Sequence, residues 1–372
     1  MKILHVVGAR PNFVKIAPVL RAFHKLAPEV HQVLVHTGQH YDKGMSAVFF
    51  DELRIPAPDV HLGVGGGSHA EQTARIMMGV EPVLAKHHPD WVFVVGDVNS
   101  TLACSLVASK MGTSIAHIEA GLRSGDMTMP EEVNRRLTDA ISSLLFVPSV
   151  DGEANLLREG VAEHRICLVG NVMIDTLVEM LPAIDSSGIT ERLGRRSGDF
   201  ALVTLHRPSN VDDASTFECV LEGLRRVSED IHLVFPVHPR TRQCMTRLGF
   251  APDSRRMSLI EPLGYVECLA LTKRARFVIT DSGGMQEETT FLQVPCLTVR
   301  PNTERPITIT MGTNRLVAST ADCIHRAARE LLQNAPSSTR RCPPFWDGKA
   351  ADRIVACWQK FTAGRLVRDS CE

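Results

Sequence analysis

Three carboxylates stand apart from the ordinary solvated acids of this chain. Asp97 directly follows the apolar run Trp91–Val95 and Gly96, Glu119 ends the run Ser114–Ile118, and Glu131 occupies the first turn of a helix announced by Pro130. An acid at the end of a buried strand is costly unless it is paired or working. Near a phosphate site such acids suit proton transfer or the stabilisation of positive charge. Glu131 also has a plainer reading, as an acid favoured at a helix N-terminus and paired with Arg135 four residues on. A second chemistry is suggested by Asp281-Ser282-Gly283-Gly284, which follows a strand and opens a helix. Glycines there let backbone N–H groups approach an anion, and the helix end adds about half a positive charge; a plain N-cap is the alternative. Glu288, about one and a half turns further on, is spaced to reach sugar hydroxyls of a nucleotide whose phosphates sit at that helix start. His206 before Arg207 and His238 before Pro239-Arg240 fall at strand ends, where cations stabilise a leaving diphosphate. The sequence contains neither G-x-G-x-x-G nor G-x-x-x-x-G-K-[ST], which weakens a dinucleotide dehydrogenase or a P-loop kinase. No H-E-x-x-H pattern supports a metal centre, and none is expected.

These groups need strands to carry them. Ile3–Val7, Val33–His36, Trp91–Val95, Ser114–Ile118, Leu144–Val147 and Ile166–Val169 read as one set of buried strands. Ala201–Thr204, Leu233–Val237, Met257–Ile260, Phe277–Thr280 and Cys296–Val299 read as a second. Helical spacing lies between them: Pro11 fits a first helical turn, and Ser68-His69-Ala70-Glu71 has capping-box form ahead of a helix over Ile76–Lys86. Helices are also expected around Thr216–Val227, Tyr265–Lys273, Met285–Leu292 and Ala351–Arg365. Near-continuous apolar strands separated by helices imply parallel sheets covered on both faces. The expected fold is therefore α/β, with two Rossmann-like doubly wound domains facing across a cleft and the ligand at the carboxyl ends of both sheets. Residues 1–169 form the first and 170–350 the second. The last helix, within 351–372, is able to pack on either, and Leu181–Asp199 reads as a surface connection.

The chain has 372 residues, 41 Lys plus Arg against 42 Asp plus Glu, and 44% hydrophobic residues. That balance excludes a nucleic-acid polycation and a disordered chain. MKILHVVGAR is too short an apolar run for a signal peptide, and nothing approaches the roughly 20 apolar residues of a membrane span. Ten cysteines without a C-x-x-C pair read as reduced, mostly buried thiols in a cytoplasmic protein.

Taken together, Gly8-Ala9-Arg10-Pro11 with Lys15, Gly96-Asp97, His117-Ile118-Glu119-Ala120-Gly121-Leu122-Arg123, Pro130-Glu131-Glu132-Val133-Asn134-Arg135, Gly170-Asn171, Pro236-Val237-His238, Asp281 to Glu288, and Thr303-Glu304-Arg305-Pro306 resemble the non-hydrolysing UDP-N-acetylglucosamine 2-epimerase family. The matches run in order over essentially the whole chain. The resemblance implies a GT-B-like fold, a homodimer, no cofactor and a UDP-sugar substrate. The activity it implies is reversible conversion of UDP-GlcNAc to UDP-ManNAc by elimination of UDP to 2-acetamidoglucal and re-addition. By position it makes Asp97, Glu119 and Glu131 the carboxylates at the sugar and His206 the essential histidine near the diphosphate. Arg10 and Lys15 match residues at the phosphates and sugar, and Arg135 the residue beside the third carboxylate. Ser282, Gly283 and Gly284 match the phosphate turn, Glu288 the ribose-binding acid, and Arg305 and His238 further substrate contacts.

The sequence departs from the family in three places. Many members carry His-Arg-Arg-Glu where this chain has His206-Arg207-Pro208-Ser209. An aromatic used near uracil falls at Cys268, leaving Tyr265 or backbone near Leu263 for the base. Residues of members regulated by a second UDP-GlcNAc are not matched, since Gln39-His40 is followed by Tyr41-Asp42 and Gly65 to Ser68 carries no Arg. A 2-epimerase of a related UDP-2-acetamido sugar, such as a 2,3-diacetamido glucuronate, is the alternative activity. A GT-B glycosyltransferase, a hydrolysing epimerase and a nucleotide-sugar sensor are the other readings.

Overall fold

A computed structural model describes residues 1–39, 52–334 and 342–369, apart from the side chains of Arg10 and residues 365–369. The chain divides into two compact units, residues 1–179 with 344–372, and residues 180–343.

The first unit is built on a parallel sheet of seven strands, β1 (Lys2–Val7), β2 (His31–His36), β3 (Val60–His61), β4 (Trp91–Val95), β5 (Ser114–Ile118), β6 (Leu144–Val147) and β7 (Ile166–Leu168). Their spatial order is β3-β2-β1-β4-β5-β6-β7. Trp91–Val95 is buried at every position, as expected of a strand covered by helices on both faces. One face packs Leu4, Val6, Val33, Val35, Val92 and Val94 against Ile76, Val80 and Leu84 of the helix His69–His87. On the other, Phe23 of the helix Arg10–Leu26 meets Phe93 edge-on at 5.4 Å and Trp358 of the C-terminal helix Ala350–Asp369 at 5.3 Å. Each such fully buried aromatic contributes about 2 kcal/mol of transfer free energy. The His5 imidazole lies in the same cluster, and burial pushes its pKa down to about 3.

The second unit repeats the plan with six parallel strands: β8 (Phe200–Thr204), β9 (His232–Pro236), β10 (Met257–Ile260), β11 (Val278–Thr280), β12 (Cys296–Val299) and β13 (Asn314–Val317). The order is β10-β9-β8-β11-β12-β13. Phe217, Val220, Leu224 and Val227 of the helix Ala214–Asp230 bury against Phe235, Phe277 and Ile324. In each sheet the strand order reverses once, between β1 and β4 in the first and between β8 and β11 in the second. In open α/β sheets, ligands bind beyond the strand ends at such a reversal.

Five expectations are corrected. The helix expected from Ile76 already begins at His69, with Ser68 and Glu71 forming the reciprocal cap. β3 and β13 are added. Leu181–Asp199 is not a plain surface connection: the helix Val172–Asp185 runs into it, and Ile189 and Thr190 of a short helix are buried. The cysteines are not all reduced, because Cys167 of β7 and Cys357 of the C-terminal helix form a disulfide. Nor are the thiols mostly buried, since Cys219 is exposed and Cys244, Cys268 and Cys323 are only partly covered. Among the described residues, no helix is long and apolar enough to cross a membrane.

Candidate active site

In the first unit the candidate groups gather at the carboxyl ends of β1, β4 and β5. Asn12, near the start of the helix Arg10–Leu26, accepts from the amides of Gly8 and Ala9 at 3.0 Å each and donates to the Val95 carbonyl at 3.0 Å. It ties the turn after β1 to the end of β4. The backbone of Arg10 opens that helix, while its side chain lies outside the described residues, as do His40, Tyr41 and Asp42. Lys15, one turn further along, forms a buried ion pair with Glu119. Gly96 has φ +68°, and a Cβ there would stand 3.2 Å from Glu119 Oε2 and 3.4 Å from Lys15 Nζ. Glycine is thus required both for its backbone and for room at the acid.

Asp97 is half-buried and pairs with Arg135 Nη2 at 2.5 Å, while the other arm of Arg135 holds Glu132. The pair expected between Glu131 and Arg135 is therefore replaced by one between Glu132 and Arg135, because Glu132 faces inward and Glu131 stands partly exposed. Glu132 is fully buried and accepts from Ser124 N, Ser124 Oγ and Gly125 N at 2.9, 2.9 and 3.2 Å. Burial tends to raise its pKa, but the bonds from Ser124 and the charge of Arg135 lower it overall. Asn134 donates to the Asp97 carbonyl at 2.9 Å, fixing the turn from the same helix, Pro130–Ile141.

In the second unit the candidates surround the reversal between β8 and β11, where Thr204 and Thr280 are paired. Asp281 is fully buried and is the organising group that sequence reasoning missed as a site residue. It accepts from the His206 amide at 3.1 and 3.0 Å, from the Arg207 amide at 2.9 Å and from Asn210 Nδ2 at 3.2 Å. Its Oδ1 also lies 3.3 Å from His206 Nδ1. The aspartate is thus spent on the β8 turn, and the Ser282 hydroxyl makes no cap bond to the helix Gly283–Leu292. The plain N-cap reading of Asp281-Ser282 does not hold.

Arg305 lies against that helix start, its Nη1 only 2.6 Å from where a Gly283 Cβ would be. It pairs with Glu287 at 3.0 Å and with Glu304, which also holds Arg300 at 2.8 Å and faces Arg207 at 3.7 Å. Burial would raise the Glu304 pKa, but Arg305, Arg300 and Arg207 outweigh it and hold the acid well below its usual range. Three guanidinium groups, although matched by the carboxylates of Asp281, Glu287 and Glu304, stand with the amides of the helix start, donors of the kind a diphosphate takes. Glu288 lies deeper on the helix, its pKa raised to about 7 by burial, opposed by the Tyr265 hydroxyl and assisted by Glu287. Tyr265 is itself buried beside Glu288, so it is committed to the acid. His238 is exposed at the end of β9, where it caps the helix Pro239–Arg247, and its ring centroid lies 6.3 Å from that of His206. Among the described residues, no group of three or more His, Cys, Asp or Glu could hold a metal ion.

The chain is similar to known proteins along nearly its whole length. Residues 24–359 match the family model described as UDP-N-acetylglucosamine 2-epimerase. The UDP-N-acetylglucosamine 2-epimerase of Methanocaldococcus jannaschii is 40% identical over 95% of this chain and 98% of its own. Its crystal structure in complex with UDP-GlcNAc and UDP superposes with a TM-score of 0.89 over 97% of this chain and 100% of that one. The UDP-2,3-diacetamido-2,3-dideoxy-D-glucuronate 2-epimerase of Pseudomonas aeruginosa is 43% identical over 95% of this chain and 98% of its own. At 14% identity and a TM-score of 0.56, Phytolacca americana UGT2 shares the GT-B-like fold alone. The family-model match over residues 24–359 and 40% identity over nearly the whole length place this chain in the UDP-N-acetylglucosamine 2-epimerase family.

Proposed function

We propose that the protein is a non-hydrolysing 2-epimerase that interconverts UDP-N-acetylglucosamine and UDP-N-acetylmannosamine. The observation that carries the reading is the coincidence of chemistry with topology. Acids stand at the strand-order reversal of one sheet and an anion cradle at that of the other.

The C2–H bond has no neighbouring carbonyl and is only weakly acidic, so cleavage at C1 must lead. The C1–O electron pair leaves with UDP, a carboxylate takes the C2 proton, and the C1=C2 bond of 2-acetamidoglucal forms. UDP then adds back while a proton is delivered to the opposite face of C2. Positive charge developing on the sugar is met by Asp97, Glu119 and Glu131, which also supply the base and the acid. Negative charge on UDP is met by His206, Arg305 and the amides at Ser282, Gly283 and Gly284, with Arg10, Lys15 and His238 as further contacts. Glu288 accepts from the ribose, and Arg135 holds Asp97 in place. The net change involves no redox step and needs no nicotinamide.

Incubation with UDP-GlcNAc in deuterated water tests the reading. Deuterium at C2 and UDP-ManNAc without an added acceptor are expected. Free ManNAc would point to a hydrolase, and unlabelled, unchanged substrate would sink the proposal for this sugar. The 43% identity to the Pseudomonas enzyme favours one second reading, a UDP-2,3-diacetamido glucuronate substrate, which the same labelling experiment on that sugar decides. The family resemblance also carries a homodimer, which light scattering measures directly.

A further inference from the structure

One buried charged set of the first unit has no part in the chemistry above. His117 on β5 is fully buried, with Nδ1 2.6 Å from Asp139 Oδ1 and Nε2 2.8 Å from the Gly96 carbonyl. Carboxylate and carbonyl are both acceptors, so these partners assign a donating hydrogen to each ring nitrogen. The other oxygen of Asp139 accepts from the Gly121 amide at 3.1 Å and from Arg123 Nη1 at 2.7 Å. Arg123 then grips Glu159 through bonds of 2.9 and 2.6 Å. Burial would raise the Asp139 pKa, but His117 and then Arg123 outweigh it, and the carboxylate is held below its usual range.

A structural ion pair is the bland account. Burying charge costs several kcal/mol per ion, and apolar residues commonly replace such pairs without loss of stability. What the set grips is more specific. Its backbone partners are the carbonyl immediately before Asp97 and the amide two residues after Glu119. Both turns are in the left-handed region, Gly96 at φ +68° and Glu119 at φ +74°. For a non-glycine residue this conformation is strained and persists only where its surroundings over-determine it. The amides of Glu119 and Ala120 both bond to the Phe146 carbonyl, and the Gly96 amide bonds to Ile118. Asn155 donates to the Gly121 carbonyl at 3.0 Å, and Asp139 adds a hold on the Gly121 amide from the helix Pro130–Ile141, which also carries Arg135.

We propose that His117 and Asp139 are positioning residues for 2-epimerisation, which fix the Gly96 and Gly121 backbone and so keep the Asp97 and Glu119 carboxylates in register with each other. This rests on the epimerase reading. Neither side chain meets the sugar; both act through the backbone of the acids.

Asp139→Asn keeps the shape and removes the charge, and His117→Gln keeps a donor for Gly96 while losing Asp139. In each, kcat is expected to fall about 10- to 100-fold, as for other orienting partners, with UDP affinity within about twofold of wild type. The kinetic isotope effect on C2-deuterated substrate is expected to rise, because misplaced acids slow proton transfer. A folding defect lowers the active fraction and leaves that isotope effect alone. A kcat within about twofold of wild type, or a loss matched by lost UDP-binding stoichiometry with an unchanged isotope effect, overturns the proposal. If Asp139→Asn does not fold, His117→Gln decides by the same readouts. Wild-type protein inert towards both sugars would sink the epimerase reading; hydrogen exchange then decides whether His117 and Asp139 fix the two turns. Faster exchange of residues 95–98 and 119–122 in His117→Gln supports it, and unchanged exchange overturns it.

Discussion

Glu119 leaves β5 in a left-handed backbone conformation and delivers its carboxylate to the ammonium group of Lys15, both side chains less than a tenth exposed. One of the candidate acids is therefore tied to a cation in a buried ion pair. Removing one member of a buried pair strands the other charge, at a cost of about 3–5 kcal/mol. Lys15→Met is expected to lower the melting temperature by roughly 6–15 °C. Adding Glu119→Gln to that variant should restore more than half of the loss, since no charge is then stranded. A double mutant as unstable as the sum of the singles would show that the two groups are not coupled.

Adjacent acids on one helix are expected to separate structure from turnover. Glu132 is fully buried under four donors, Arg135 among them, whereas Glu131 is partly exposed. Glu132→Gln should cost about 2–4 kcal/mol by thermal melting. The depressed Glu132 pKa supplies stability above its unfolded value of 4.5, lost as pH falls through the folded value. The stability gap between wild type and Glu132→Gln should accordingly narrow in acid. Glu131→Gln should melt like wild type and lose about 100-fold or more in turnover, the scale of a lost acid or base. Near-normal turnover in a well-folded Glu131→Gln would remove that residue from the chemistry.

The contrast between these neighbours marks where sequence reasoning stops. Buried parallel strands are legible because both faces must be apolar: Trp91–Val95, Ser114–Ile118, Leu144–Val147 and Cys296–Val299 begin and end where their composition says. β3 has only two residues and β13 reads Asn-Arg-Leu-Val, so neither offers an apolar run to detect. The acids at strand ends are conspicuous, but their partners are set by tertiary contacts. Whether Arg135 pairs with the residue three or four before it depends on which acid the fold turns inward. Asp281 looks like a helix cap by position, and only the proximity of β8 to β11 turns it towards His206 and Arg207.

With Glu288 at the ribose, as proposed, nucleotide binding should depend on pH. The Glu288 pKa is raised to about 7, mainly by burial, so its contribution to stability is full below the unfolded value near 4.5 and lost as pH climbs through 7. Glu288→Gln should become progressively more stable than wild type between pH 5 and 8. A ribose diol donating to this side chain favours the ionised form. UDP affinity should therefore rise with pH up to about 7, and calorimetry in buffers of different ionisation heat should detect close to one proton released per UDP at pH 6. Both effects should vanish in Glu288→Gln; a proton release that survives the substitution would assign it to another group.

Gly283→Ala sets two effects of opposite sign against each other. Alanine favours a helix over glycine by about 1 kcal/mol, and Gly283 opens the helix Gly283–Leu292 without a positive φ. On propensity alone the substitution should stabilise the protein. The added Cβ, however, would lie 2.6 Å from Arg305 Nη1 and 2.8 Å from Glu304 Oε1, closer than side-chain atoms approach. Arg305 is the part that gives, because its guanidinium is the far end of a flexible chain whereas the helix backbone is fixed. The guanidinium then leaves the helix end, and a charge-assisted bond to phosphate, about 1.5–3 kcal/mol, goes with it. UDP affinity should fall about 10- to 100-fold, and the free protein should melt lower as well, because moving the guanidinium disturbs its buried pairs with Glu287 and Glu304 by more than helix propensity returns. Calorimetric titration with UDP beside a thermal melt measures both, and undiminished UDP affinity would show that Arg305 does not hold the diphosphate.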